Sequence, residues 1–156
     1  MSLLPRTYPV ILLLLLILHF ALSLASDSPS AYEMLERFGF PKGILPEGVR
    51  SYNLVHDGGF EVLLSCDCEF RVDGDGFLLR YGKRITGKVK SGQLKELNGV
   101  SVKVLLVWFG INEVVSSGTD LYFHVGPLSA SFPMSDFKEC PKCRGSRIST
   151  DIVLDS

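Results

Sequence analysis

The sequence predicts a mainly β protein: an antiparallel pseudo-barrel or folded-over sheet of seven to eight strands, with one N-terminal helix. Three observations carry that prediction. From Arg50 onward apolar residues recur at every second position, Gly-rich breaks punctuate the chain at short intervals, and a single stretch after the apolar leader has helical spacing. Period two with turn residues between the runs is the pattern of hairpin-connected strands. Such a sheet must close, fold over or be capped by the helix to bury its apolar face.

Residues 1–25 read as a secretory signal peptide. Arg6 is their only charge, an apolar run extends from Val10 to Ala25, and the small residues Ser23 and Ala25 set a cleavage point before Ser26. The run is somewhat short for a spanning helix, which needs about 20 apolar residues. Removing 25 of the 156 residues leaves 131, enough for one domain with one core. Residues 26–144 are expected to form that domain and 145–156 a mobile tail. The formal charge of −1 becomes −2 when Arg6 is lost, a balance that argues against nucleic-acid binding. Export follows as the expected fate, and no N-glycosylation sequon occurs at Asn53, Asn98 or Asn112.

The helix is expected near residues 29–38. Ser30 and Glu33 fit a capping box, with Ser28 and Pro29 as an alternative start, and Ala31, Met34, Leu35 and Phe38 make one apolar stripe. Gly39 and Pro41 stop it. The clearest strand runs from Phe60 to Val72, where every even position is apolar or Cys. Further runs are FLLRY, KRITGKVK, VSVKVLLVWFG, DLYFHVG and LSASFPM, separated by DGDG, YGK, KSGQ, LNG and SSGTD.

Four cysteines carry the most chemistry: Cys66 and Cys68 in the long strand, Cys140 and Cys143 in ECPKC. On one strand face Cys66 and Cys68 would stand roughly 6.5–7 Å apart with parallel side chains, which disfavours a bond between them. Four thiolates would suit zinc, but zinc knuckles sit on turns rather than along a strand. A redox C-x-x-C should open a helix after a strand, a context ECPKC lacks. In an exported chain at least one disulfide tying ECPKC to the CDC strand is expected, with connectivity open.

No metal site and no cofactor motif is predicted. DGDG at Asp73–Gly76 lacks the later calcium ligands, and no G-x-S-x-G nucleophile elbow is present. His56 precedes a turn, and His124 sits within a strand beside Tyr122. From Arg80 to Lys95 there are six basic residues and no acidic one, with Arg84, Thr86, Lys88 and Lys90 on one strand face. That face is either a solvated, aggregation-blocking strand or a dock for anionic headgroups. In VKVLLVWFG both faces are apolar, which marks a covered central strand or the lining of a cavity by Leu105, Val107 and Phe109.

The stretches YEMLERFGFPKGILPEGV, CEF, LLRYGKRITGKVKSGQLKELNGVSVKVLLVWFGINEV and LYFHVGPLSASFPMSDFKECPKC resemble the plant family known as domain of unknown function 538, over roughly Ala31 to Cys143. The resemblance implies a β pseudo-barrel with an N-terminal helix, a role in stress responses, and a likeness to lipid-binding bactericidal/permeability-increasing proteins. It also brings a proposed chlorophyll-binding or chlorophyll-hydrolysing activity. Cys68, Cys140 and Cys143 fall at positions of the family pattern, whereas Cys66 is a local addition.

The expectation is a secreted, non-enzymatic binder in the apoplast or cell wall. Its ligand would be a lipid, lipopolysaccharide or other amphipathic molecule, with Leu105, Val107 and Phe109 lining the site and Arg84, Lys88 and Lys90 drawing an anionic headgroup. The alternatives are a hydrolase of an ester-bearing pigment or wall polymer, with His124 as base, and a wall or protein-interaction module with a filled core.

Overall fold

A computed structural model describes residues 7–23, 28–72 and 76–143. The expected cleavage point, most of the DGDG turn and the expected tail lie outside the described residues. The elements are α1 (Tyr8–Ser23), α2 (Ala31–Arg37), β1 (Val49–Leu54), β2 (Gly59–Leu64), β3 (Cys68–Arg71), β4 (Leu78–Lys90), β5 (Gln93–Val104), β6 (Val107–Gly110), β7 (Glu113–Ser116), β8 (Asp120–Val125) and β9 (Leu128–Pro133). Short 3-10 turns follow α2 at Lys42–Ile44 and β9 at Met134–Phe137. Among the described residues no helix is long and apolar enough to cross a membrane.

All nine strands join one antiparallel sheet that does not close. The order is β1-β2-β4-β5-β7-β8-β9, so β1 and β9 are its edges. The two longest strands each serve two neighbours. β4 pairs with β2 through residues 84–88 and with β3 through 78–81, while β5 pairs with β7 at its start and β6 at its end. Between these halves the β4–β5 register shifts on both sides of Thr86. Gly99 permits the bend at φ 89°, and a Cβ there would stand 2.3 Å from the Arg84 carbonyl oxygen.

The mainly β, antiparallel expectation with an N-terminal helix matches this architecture, but the strand boundaries need four corrections. The run Phe60–Val72 is broken at Ser65–Asp67. There the Ser65 N–H donates to the Gly48 carbonyl (3.0 Å), and Asp67 Oδ1 accepts from the Lys83 N–H (2.7 Å). A side chain thus replaces the ladder, and Cys66 is exposed within the break, while Val62 and Leu64 before it and Cys68 and Phe70 after it stay buried. The two cysteines do not share a buried face. Likewise VSVKVLLVWFG is no single strand: Leu105 and Leu106 form a two-residue turn between β5 and β6. Conversely, FLLRY and KRITGKVK are one strand running through Gly82, and Asn98-Gly99 is a bend inside β5 rather than a break.

Helix α2 begins as its capping box dictates, with Ser30 rather than Ser28 at the N-cap. The Ser30 N–H donates to Glu33 Oε2 (2.6 Å), and the Glu33 N–H donates to Ser30 Oγ (3.2 Å). Gly39 reverses the chain at φ 84°, and the Phe40 N–H donates to the Leu35 carbonyl (3.0 Å). Residues 28–46 then form a cap that three tyrosines fasten. Tyr81 of β4 donates to the Ile44 carbonyl (2.6 Å), Tyr52 of β1 to the Pro29 carbonyl, and Tyr32 within the cap to the Pro46 carbonyl (2.8 Å). At the C-terminal side the Glu47 N–H donates to the Pro141 carbonyl (3.0 Å), and Cys68 is bonded to Cys143 across 75 residues.

Gly43 is where the cap meets the C-terminal segment most closely. A Cβ at this residue would stand 2.1 Å from the Phe137 carbonyl oxygen and 2.4 Å from that of Glu139. Both obstacles are backbone, so neither can swing aside. Gly43→Ala is expected to cost about 3 kcal/mol in urea unfolding, at the upper end of overpacking effects. Gly110→Ala, where a Cβ meets nothing within 4 Å, should stay within about 0.5 kcal/mol of the parent. Equal midpoints for the two variants would show that the cap does not dock this tightly.

Candidate functional site

The inward residues of the sheet do not fill the space under the cap. A cavity of about 90 Å³ lies between α2 and the sheet, walled by Met34, Leu35 and Phe38 from the helix and by Ile85, Val89 and Val114 from the strands. A second, of about 230 Å³, lies between Leu79, Val102 and Val104 on one side and Leu128 and Phe132 on the other. Ile111 and Phe123 border both, so the two adjoin. Edge-to-face contacts of Phe132 with Phe77 (5.8 Å) and Phe123 (5.7 Å) stiffen the wall of the second.

At the other end of β4 the first cavity meets a polar cleft. Phe38, Leu54 and Val89 line both, and His56, Asp57, Lys90 and Ser91 complete the cleft. The three spaces therefore adjoin one another along β4, from Lys90 at one end to Leu79 at the other. Only the cleft presents charged groups. Within the first cavity the polar atoms are phenol oxygens, and those of Tyr52 and Tyr81 already donate to cap carbonyls.

The residues expected to bind ligand are arranged differently from the expectation. Leu105, Val107 and Phe109 line neither cavity; they belong to the protruding β5–β6 hairpin and are exposed. Arg84, Lys88 and Lys90 share the outer face of β4, as the period predicts, with Ile85 and Val89 facing in. That alternation keeps Arg84 and Lys88 away from the interior. Cross-strand carboxylates also meet them: Arg84 pairs with Glu61 (2.5 Å) and Lys88 with Glu96 (3.1 Å). Only Lys90, at the end of the strand, reaches the cleft. Sequence reasoning missed the roles of the α2 stripe, Val114 and Ile111 as walls, although the helical stripe itself was the available signal.

The cysteines separate by environment. Cys68 and Cys143 are bonded, Cys66 is an exposed thiol, and Cys140 donates from Sγ to the Lys42 carbonyl (3.5 Å). Burial pushes the Cys140 thiol up, against a smaller opposing pull from Lys42. A nucleophilic or redox C-x-x-C thiol requires the opposite shift. His124 lies on the outer face of β8, in register with Glu113 and Ser129, and the Glu113 carboxylate is taken by Gln93 (2.8 Å) and Lys95 (3.7 Å). Among the described residues no group of three or more His, Cys, Asp or Glu is placed to hold a metal ion.

A family model described as "Protein of unknown function, DUF538" matches residues 31–138, from the first residue of α2 to just before ECPKC. The chain belongs to this family. The DUF538 span thus holds the whole sheet, the helix and both cavities, while Cys143, which staples the domain shut, lies beyond it. An uncharacterised protein of Arabidopsis thaliana is 25% identical over 95 residues, covering 60% of this chain and 55% of that protein. The chain therefore spans about half the length of this curated relative.

Tyr81 gives a pH signature of the cap. Burial pushes its phenol well above the ordinary value of 10.0. The folded state keeps this proton where the unfolded chain, titrating near 10, releases it, so the folded state holds more protons above that pH. Stability contributed by Tyr81 is complete below pH about 10 and is lost as pH rises toward the elevated folded value. Tyr81→Phe should cost about 1–3 kcal/mol at pH 7, because the Ile44 carbonyl loses its donor, and should flatten the loss of stability above pH 10. An alkaline transition identical in both proteins would remove Tyr81 from the cap's support.

Proposed function

We propose that this chain is a secreted, non-enzymatic binding protein for an amphipathic molecule with a single hydrocarbon chain. The tail occupies the adjoining cavities beneath α2, and a polar or anionic head rests in the cleft at Lys90 and His56. The observation that carries this reading is the apolar lining: the first cavity offers a polar ligand only phenols already bonded to the backbone, and Ser129 is the one polar side chain among the residues lining the second. Together the cavities sit at the lower end of small-molecule sites, roughly 300–1,000 Å³, which suits one chain rather than the several of a lipopolysaccharide. Secretion is supported by the charge-poor apolar segment that includes α1 and by a disulfide, a bond favoured by oxidising compartments. The resemblance to a stress-response family with a likeness to lipid-binding proteins points the same way.

A dansyl-labelled fatty acid tests the assignment. Ala31 lines the first cavity and is 6% exposed, and Leu in its place fills that space while suiting the helix. Ala31→Leu should weaken uptake of the probe about tenfold, equivalent to about 1.4 kcal/mol. Lys90→Gln should weaken the acid and not the corresponding dansyl-labelled alcohol, whereas Arg84→Gln and Lys88→Gln should change neither. Full-strength uptake by a folded Ala31→Leu protein would refute the interior site.

A further inference from the structure

We propose that the β5–β6 hairpin tip is a membrane anchor that inserts into the surface of a phospholipid bilayer. The tip is the least protected apolar group of the domain. Leu105 is 93% exposed and Leu106 88%, with Val107 at 55% and Phe109 at 38% behind them. Leu128, the first residue of β9, is also exposed at 54% and lines the second cavity together with Val104, the last residue before the tip. Apolar groups from two hairpins therefore flank one end of the interior, opposite the Lys90 cleft.

Folding gives no reason for leucine at this turn. Val104 pairs with Val107, so Leu105 and Leu106 make a two-residue loop, and Leu105 sits at φ 56°. That left-handed conformation suits Gly or Asn and penalises a branched side chain. The chain thus carries a strained, solvent-exposed Leu-Leu pair where a Gly-Asn turn, with Gly at the position of positive φ, would be both more soluble and less strained, a pattern expected where strain serves a site.

The neck of the hairpin has the chemistry of a bilayer interface. Trp108 lies half-buried on β6, the Arg80 guanidinium stands 4.0 Å from its ring centroid, and Lys103 Nζ is 5.9 Å away. Arg80 is also paired with Glu69, whereas Lys103 makes no ion pair among the described residues. An amphipathic ring with cations beside it is the arrangement found at headgroup depth, where Trp anchors and basic residues meet phosphates. Leu106 and Trp108 are two residues apart, about 7 Å along a strand. Leucines among the acyl chains would therefore leave Trp108 and Lys103 at the phosphates. A convex two-residue tip needs a fitted pocket on a folded partner, but a fluid bilayer adapts to it. This surface is separate from the interior ligand site, and its test uses a different signal.

Trp108 is the chain's single tryptophan and reports on the tip alone. The full chain is mixed with phosphatidylcholine vesicles, plain or brominated on the acyl chains. Trp108 emission should shift to the blue with plain lipid and be quenched by brominated lipid, whatever the apolar α1 segment does at the same vesicles. Leu105→Gly/Leu106→Asn relieves the strained φ and removes both side chains. It should fold as well as the parent and insert at least about a hundredfold less, the lower bound for two leucine transfers, so that quenching disappears. Unquenched Trp108 in the native chain at lipid excess would overturn the proposal, as would equal quenching in the variant. A concentration-dependent emission shift without lipid, abolished by the variant, would assign the tip to a second copy of the chain and overturn it too.

Discussion

The fold depends on the bond between the buried Tyr81 hydroxyl and the Ile44 carbonyl. The sheet is open, its concave face is apolar, and its main cover among the described residues is a seven-residue helix with a Pro- and Gly-rich tail. Helices so short have little stability of their own in water. The cap persists because it is tied at several places to strands that are firmly paired. Tyr81 holds its middle, Tyr52 its beginning, and the Cys68–Cys143 bond holds the segment that closes over its end. Each hydroxyl also satisfies a cap carbonyl that would otherwise face an apolar interior, which is costly to leave unpaired.

That mode of attachment explains why two cavities remain beside the packed core. A helix held by point contacts along a curved sheet touches it where tyrosines and Gly43 allow, and the residues between cannot all close the gap. Hydrophobic walls without polar partners stay dry when empty and accept apolar guests. The same arrangement sorts the charges. Strand alternation sends the basic residues of β4 outward, where Glu61 and Glu96 meet them across strands, and leaves only the strand end near the cleft. Exposed pairs of this kind contribute little to stability, but they weaken the field that the basic run alone would project.

Much of this was legible in the residues, and the failures have physical causes. The Ser30–Glu33 capping box and the stripe through Leu35 and Phe38 placed α2 within two residues at its start. Period two placed Ile85 and Val89 inside and Arg84 and Lys88 outside. The long alternation at Phe60–Val72 misled because Asp67 substitutes its side chain for a ladder partner without disturbing the apolar pattern. The Leu105–Leu106 turn misled because it carries no turn residue, so the run read as one continuous strand and its leucines as cavity lining. Gly82 and Gly99 looked like breaks but act as bends within long strands. Acidic partners such as Glu61 and Glu96 could not be assigned to the basic face before the register was known.

The central claim is that the space beneath the cap holds a hydrocarbon chain. Native mass spectrometry of the chain purified from a plant secretory host, followed by denaturing lipid extraction, tests it most directly. The account predicts a stoichiometric adduct that is released on denaturation and extracts as a single-chain amphipathic molecule. A bare polypeptide mass, unchanged after incubation with excess long-chain fatty acid, would contradict it.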